Sequence, residues 1–362
     1  MSQQSFDLPA SESNQALLDN VHPHDWKNPK PAPCYNLVVI GGGPAGLVTA
    51  AGAAGLGAKV ALIERSLLGG DCLNQGCVPS KCLIRSGRAI HDARQASPLG
   101  LRGATDLVPD FAAAMARLQR IRAELSDHDS ARRFSEELGI DVFLGQGHFA
   151  GPDRLQVGEQ VLTFKKAAIC TGARAATPSI SGLEETGFLT NETVFSLNEL
   201  PPRLAILGAG PIGCEMAQAF ARLGSQVTIL EHRPRLLPRE DQDAAAILQQ
   251  TFAAEGIQLH FNVRTKQVEK QGTDHTITYE DNGHTRQLVV DQILVGVGRA
   301  PNIEGLDLEK ADVEYHPKTG VKVNDRLQTS NSRIFAAGDV CSLYKFTHTA
   351  DAQARIVIAN AL

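Results

Sequence analysis

Only seven of the 362 residues are cysteine, an odd number and too sparse for a disulfide framework to hold a chain of this length. No run of eighteen apolar residues occurs, which argues against a membrane-spanning helix. No charged-then-apolar leader opens the chain, so a reducing cytoplasm is the expected location. Positive charge is not in excess: 35 Lys and Arg stand against 40 Asp and Glu, for a formal charge of -5. That balance argues against an extensive nucleic-acid or lipid-head-group surface. What is present is 43% apolar residues and 33 glycines, the composition of a soluble globular enzyme with many tight turns and room for two or three domains.

Residues 1–33 are polar and close on the Pro-rich tract "HPHDWKNPKPAP", which predicts a flexible, extended arm with His22 and His24 facing solvent rather than binding metal. Folding begins at "CYNLVVI", a strand pattern that runs into "GGGPAG", a helical stretch, and the strand "KVALI" ending at Glu64. From residue 204, "LAILGAGPIGCEMAQAFARLGSQVTILEH" repeats "LVVIGGGPAGLVTAAGAAGLGAKVALIER" at a constant offset of 167, without a gap. Two copies of strand, glycine turn, helix, strand and Glu predict an α/β protein of two doubly wound, Rossmann-like nucleotide-binding domains, the second inserted in the first. The expected boundaries are 34–183, 184–304 and 305–362. Between the copies, residues 110–138 read as helical, with Phe111, Met115, Leu118, Ile121 and Leu125 on one apolar stripe.

Each glycine has a physical reason. Gly41 permits the tight turn, Gly43 leaves room for a pyrophosphate, and Gly46 lets helix and strand pack closely, while the helix start aims free N–H groups at phosphate oxygens. Glu64 is suited to accept hydrogen bonds from ribose hydroxyls. Gly208, Gly210, Gly213 and Glu231 repeat the pattern. A carboxylate at Glu231 opposes a 2'-phosphate and favours NADH, although His232, Arg233 and Arg235 follow it, and a flexible Arg can reach a phosphate. Asp339, after "FAAG", is expected to cap a helix, to contact a cofactor hydroxyl, or both.

The remaining signal is the cysteine pair in "LLGGDCLNQGCVPSKCLIRSGRAI". Four residues between Cys72 and Cys77 are too many for a compact zinc hook, and no second Cys or His pair is near in sequence, so no metal site is expected. A helix opening after Gly76 puts Cys77 at its positive end, where a thiolate is stabilised, and leaves Cys72 on the preceding loop. Cys34, Cys82, Cys170, Cys214 and Cys341 read as inert, buried small residues.

"CLNQGCVPSK", together with "GGGPAG", Thr171-Gly172, "GAGPIGCE", "GRAPN" and "AAGD", resembles the FAD-dependent pyridine nucleotide-disulfide oxidoreductases over nearly all of residues 35–362. By that resemblance the first domain binds FAD and the inserted one NAD or NADP. The motifs and their neighbours add Pro44, Ala45, Arg65, Gly70, Asp71, Thr171, Gly172, Ile212, His232, Gly298, Arg299 and Gly338 to the expected cofactor contacts. Cys77 is then the flavin-side thiolate and Cys72 the interchange thiol. Lys81 lies by the flavin and pairs with Glu215. The implied reaction carries a hydride from NADH or NADPH to FAD and on to a Cys72–Cys77 disulfide, and then to a small disulfide or a thiol-bound metal ion. The wording of "EMAQAFARLGSQVTIL" and of the final segment resembles the mercuric reductase branch; dihydrolipoamide dehydrogenase chemistry is the alternative. The family's carboxy-terminal interface domain is not expected within these 362 residues, and a homodimer is expected only where that domain is present. His348 is the nearest substitute for its proton-transferring His, and a cofactor-retaining fragment without native turnover is the reading of another class.

Overall fold

Runs of β-branched and large apolar residues without polar alternation make strands that are buried on both faces, the mark of a parallel sheet covered by helices. Tyr35–Ile40 and Val60–Glu64 are such strands, and both are almost wholly buried. They belong to a computed structural model that describes Phe6 and residues 8–100, 102–103 and 106–362. The chain forms two units, each assembled from separated stretches.

One unit comprises residues 10–74, 122–174 and 299–362. Its parallel strands run in the order Asp141–Leu144, Val60–Glu64, Tyr35–Ile40, Gln160–Ile169 and Ile334–Ala336. Val39 stands opposite both Leu62 and Ala168. The long strand Gln160–Ile169 serves twice: its second half joins this ladder, while Gln160–Thr163 pairs antiparallel with Arg154–Val157. Helix Pro44–Gly55 packs on helix Thr347–Ala361. A Cβ at Gly52 would stand 2.5 Å from Ile358 Cδ1, so a glycine permits that approach.

The other unit comprises residues 175–298, 75–121 and the described part of 1–9. Gln258–His260, Gln226–Leu230, Arg203–Leu207 and Gln292–Val295 form its parallel sheet, beside an antiparallel sheet of Arg264–Gln271, Asp274–Asp281 and His284–Val290. Helix Cys77–Arg94 packs along helix Pro211–Leu223, where a Cβ at Gly87 would crowd the Ala219 carbonyl and Arg222 Cβ at 3.3 Å. The α/β class and the two Rossmann-like sheets match the sequence reading.

The amino-terminal segment differs from the expected arm. Glu12–Val21 is a helix capped by Ser11, with Asn14, Leu17 and Val21 buried. Three inward positions in a ten-residue helix are too short a repeat to stand out from a polar background. Beyond it, Trp26 Nε1 donates to the Val142 carbonyl at 3.2 Å, and the Asn28 amide exchanges hydrogen bonds with Leu144 N–H and C=O along the sheet's edge strand. Residues 1–5 and 7 lie outside the described part. His24 is exposed, whereas His22 is half-buried with Nδ1 2.5 Å from the Ser66 carbonyl oxygen.

Smaller corrections follow. In helix Phe111–Ser126, Phe111, Met115 and Leu118 are buried but Leu125 is exposed, because the chain leaves the α-helix at Asp127. Cys82, Cys170 and Cys214 are buried, Cys341 is half-buried and Cys34 is exposed, since it precedes the first strand rather than entering it. Among the described residues no helix is long and apolar enough to cross a membrane, and no cluster of His, Cys, Asp or Glu is suited to a metal ion.

Candidate functional site

The first glycine turn is built by two different demands. Gly41 has φ +105°, and a Cβ there would meet the Cys170 carbonyl oxygen at 2.3 Å; at Gly46 it would meet the Gly41 carbonyl oxygen at 1.7 Å. The protein's own backbone therefore requires these two glycines. Gly43 is the residue ahead of helix Pro44–Gly55, and a Cβ on it would find only Gly70 Cα, at an ordinary 3.7 Å. The repeat in the other unit behaves alike. Gly208 and Gly213 are hemmed in by the carbonyl oxygens of Gly296 and Gly208 at 2.6 and 2.2 Å, while Gly210 faces open space. Packing of the chain itself does not require the middle glycine of either turn. That is the fit expected of a dinucleotide phosphate approaching the free N–H groups of the helix start.

Each turn is locked by a glutamate at the end of the next strand, Glu64 as its last residue and Glu231 just beyond it. Glu64 Oε2 accepts from Gly42 N–H at 2.6 Å and its Oε1 from Ser66 N–H at 2.7 Å. Glu231 does the same with Ala209 N–H at 2.6 Å and Arg233 N–H at 2.9 Å. Burial pushes the Glu64 carboxyl above its ordinary 4.5, with the two N–H bonds opposing the shift. Sequence reasoning gave these residues to ribose and missed this second duty. Both Glu64 oxygens and Glu231 Oε2 keep a lone pair beyond their backbone bonds. Gly41, Glu64, Arg65 and Thr171 line one cavity with Gln146, Asn302 and Glu304, which sequence reasoning did not single out. Asn302 closes on the Thr171-Gly172 turn by three bonds of 2.7–3.0 Å, so the "GRAPN" segment carried the missed signal.

The Cys72 segment sits on the first glycine turn. Cys72 lies within a short helix, Gly70–Asn74, rather than on a loop. Gly69 and Gly70 both have positive φ, and a Cβ at Gly70 would strike Gly43 Cα at 2.6 Å. Asp71 pairs with Arg299, whose Nε is 3.3 Å from Asp339 Oδ2. Arg299 also donates to the Ala173 carbonyl. That Nε is buried and makes no hydrogen bond among the described residues, an orphaned donor of the kind a bound cofactor could satisfy. Asp339 caps no helix: it stands in a turn closed by Cys341 and Ser342 N–H on the Gly338 carbonyl, and the next helix starts at Thr347. Gly338 has φ +83° and packs by Ala45. Burial raises the Asp339 carboxyl while Arg299 and Lys345 pull it down; Lys345, also unforeseen, donates to the Asp339 carbonyl at 2.7 Å. The unit thus gathers Gly43, Ala45, Gly70, Asp71, Arg299, Gly338 and Asp339, an arrangement suited to hydroxyl- and phosphate-bearing parts of FAD.

In the other unit, Ile212 is half-buried against the core under the glycine turn and Gly298 holds φ +138°. His232 is largely exposed, with Nδ1 2.8 Å from Glu231 Oε1. Arg235 is committed elsewhere: its guanidinium donates to the carbonyls of Leu236, Leu237, Pro238 and Glu240 at 2.8–3.3 Å. Arg233 remains exposed.

Cys77 is the first residue of the eighteen-residue helix Cys77–Arg94, after Gly76. One turn on, Lys81 Nζ lies 2.7 and 2.8 Å from the two Glu215 oxygens. Gly87 against Ala219 sets the spacing that brings the two side chains together. Three of the other thiols are poor competitors. Burial pushes Cys170, Cys214 and Cys341 up to about 12, so little of each is thiolate near neutrality. His348 opens helix Thr347–Ala361 with its ring stacked on Phe346 at 5.3 Å.

The sequence pattern of the pyridine nucleotide-disulphide oxidoreductases matches residues 35–354. The chain belongs to that family. Its cofactors are accordingly FAD and a nicotinamide dinucleotide, and the residues described above fit both. A mercuric reductase of Staphylococcus aureus is 38% identical over 332 residues, which span 91% of this chain and 60% of the relative. A dihydrolipoyl dehydrogenase of Bacillus subtilis is 33% identical over 330 residues, 90% of this chain and 71% of the relative. Among solved structures, the Cu(II) complex of the HOCl-induced flavoprotein disulfide reductase RclA from Escherichia coli superposes with a TM-score of 0.80 at 31% identity, covering 90% of this chain and 70% of that one. The chain therefore spans about 60–70% of the length of these family members.

Proposed function

We propose that this oxidoreductase takes a hydride from NADH and passes the two electrons to a Cys72–Cys77 disulfide, and from there to a small disulfide or a thiol-bound metal ion. The observation that carries the reading is the opening of helix Cys77–Arg94: the thiol starts the helix and a lysine one turn later is fixed by Glu215. Bound FAD would supply the hydride acceptor and two-electron carrier between the dinucleotide and the disulfide. The residues supply the rest. The helix start lowers the energy of a Cys77 thiolate, Lys81 holds a positive charge one turn from it, and Glu215 keeps that charge in place. Cys72 is the thiol that exchanges with the acceptor. Gly41, Gly43, Pro44, Ala45, Gly46, Glu64, Arg65, Asp71, Thr171, Gly172, Arg299, Gly338 and Asp339 hold FAD. Gly208, Gly210, Ile212, Gly213, Glu231, His232 and Gly298 hold the nicotinamide dinucleotide.

The preference for NADH rests on Glu231 and on the withdrawal of Arg235, whose donors are already taken by four carbonyls of its own loop. A reducing cytoplasm suits the scarcity of cysteine. Mercuric-reductase-like delivery to a thiol-ligated metal ion is favoured as the direction of electron flow by the identity to the Staphylococcus aureus enzyme.

The test is an anaerobic dithionite titration of the flavoprotein. Uptake of four electrons, with a long-wavelength absorbance band after the first two, supports the cysteine pair as a redox centre. Uptake of two electrons, with both thiols alkylatable throughout, overturns it.

A further inference from the structure

We propose that the amino-terminal helix Glu12–Val21, which precedes the family-matched residues, is a brace for the Cys72 turn, and that Arg122 is the positioning residue through which it acts. Arg122 is 1% exposed, the largest of the fully buried side chains, on a helix whose other arginines sit nearer the surface. Its Nη2 donates to Asn14 Oδ1 at 2.7 Å and its Nη1 to the Asn74 carbonyl at 2.9 Å. Asn14 is itself buried, with its backbone N–H on the Ser11 cap at 3.1 Å. Asn74 ends the Cys72 helix, and its amide returns to the carbonyls of Leu68 and Gly70 at 3.0 and 2.9 Å. One guanidinium therefore joins the amino-terminal helix to the last carbonyl of the element that carries Cys72.

Two further ties reach the same turn. Leu68 N–H donates to the Val21 carbonyl at 3.2 Å, and His22 Nδ1 meets the Ser66 carbonyl. The turn needs outside support because it is locally poor in structure: Gly69 and Gly70 both hold positive φ, and the helix has only five residues, too few to stand alone in water. A buried guanidinium is expensive to desolvate and is retained where its planar donors fix a geometry. Here the geometry fixed is that of Cys72. A side chain held in place reacts as if at high local concentration, and loosening its support lowers that concentration without touching the reacting atoms.

The inference rests on the proposed role of the cysteine pair, and its test separates the two. The full FAD-loaded chain is equilibrated with mixtures of glutathione and glutathione disulfide, where formation of one Cys72–Cys77 S–S bond cleaves one glutathione disulfide to two thiols and transfers both cysteine protons to them. Alkylation and mass spectrometry read the position of this equilibrium. Hydrogen exchange of amides 66–74 reads the turn directly. In Arg122→Met and in the milder Asn14→Ala, the pair should become at least fivefold easier to reduce and amides 66–74 should exchange at least fivefold faster, with FAD content and exchange in the 203–230 segment unchanged. Arg122→Lys should restore part of both effects. Amides 66–74 exchanging at the parent rate in both variants would overturn the brace. So would an unchanged glutathione equilibrium beside faster exchange. A parent that forms no disulfide at any glutathione ratio overturns the role of the pair instead, and the exchange rates then decide the brace alone.

Discussion

Glu231 closes on the backbone N–H of Ala209 at 2.6 Å, holding the second glycine turn against the strand that follows it. On the proposed function the same residue also discriminates between dinucleotides, so that folding and specificity would share one carboxylate. NADH should reduce the flavin with a higher specificity constant than NADPH. A tenfold advantage for NADPH, about 1.4 kcal/mol in transition-state stabilisation, would show that Arg233 or Arg235 overrides the carboxylate. Arg235→Ala should leave the preference unchanged and lower the melting temperature, because its four carbonyl partners lose their donor.

The paired glycines separate folding from binding. Gly210→Ala should fold with a melting temperature close to the parent's and lose dinucleotide affinity by tenfold or more, since its Cβ meets no protein atom. Gly213→Ala should destabilise the unit outright, with a Cβ 2.2 Å from the Gly208 carbonyl oxygen. Calorimetry and dinucleotide titration of the two variants check this, and equal loss of stability in both would contradict it.

On the proposed function, substitutions at Lys81 and Glu215 should affect rate rather than stability. The pair is substantially solvent-exposed, and exposed ion pairs contribute only about 0–1 kcal/mol. Lys81→Met should therefore shift the melting temperature little and slow electron transfer from NADH to the cysteine pair by about tenfold or more, on the order of one lost electrostatic contact. Rapid-mixing absorbance measures the rate. Glu215→Gln should give a smaller loss, because the lysine charge remains and only its orientation is freed.

The raised carboxyl of Glu64 has a definite signature against pH. The folded chain holds this proton to higher pH than the unfolded chain does, so the contribution of Glu64 to stability falls as pH rises above its ordinary 4.5 and levels off beyond the folded value. In the flavin-free protein, the stability of Glu64→Gln minus that of the parent should increase with pH over this window. Urea unfolding at a series of pH values reads the trend, and a flat or falling difference would count against burial as the dominant cause.

What was legible in the sequence was whatever the backbone itself demands. Gly46 and Gly213 answer to the carbonyl oxygens of Gly41 and Gly208 within the same turn, Gly41 and Gly208 to a positive φ, and the matched strands to a single buried layer, so spacing alone carried the two Rossmann-like sheets. Cys77 at a helix start followed from Gly76 and Pro79. What was illegible depended on partners far along the chain. Arg299 finds Asp71 across 228 residues, Arg122 finds Asn14 across 108, and neither spacing has a period to detect. A helix opening after Gly76 leaves Cys72 on the loop before it in the sequence reading, yet Gly69 and Gly70, both with positive φ, lead into a short helix there.

The strand Asp141–Leu144 is the margin of its sheet, and Asn28 occupies both the N–H and C=O of Leu144 with a single side chain. An uncovered margin of a sheet is a template on which another chain can add a strand. A preparation trimmed to the family-matched residues 35–354 would keep every glycine and both cysteines while baring that margin. The boundary that serves sequence comparison is therefore a poor one for expression: cut there, the protein is expected to lose solubility through strand-to-strand association, and with helix Glu12–Val21 it loses the ties that reach the Cys72 turn as well.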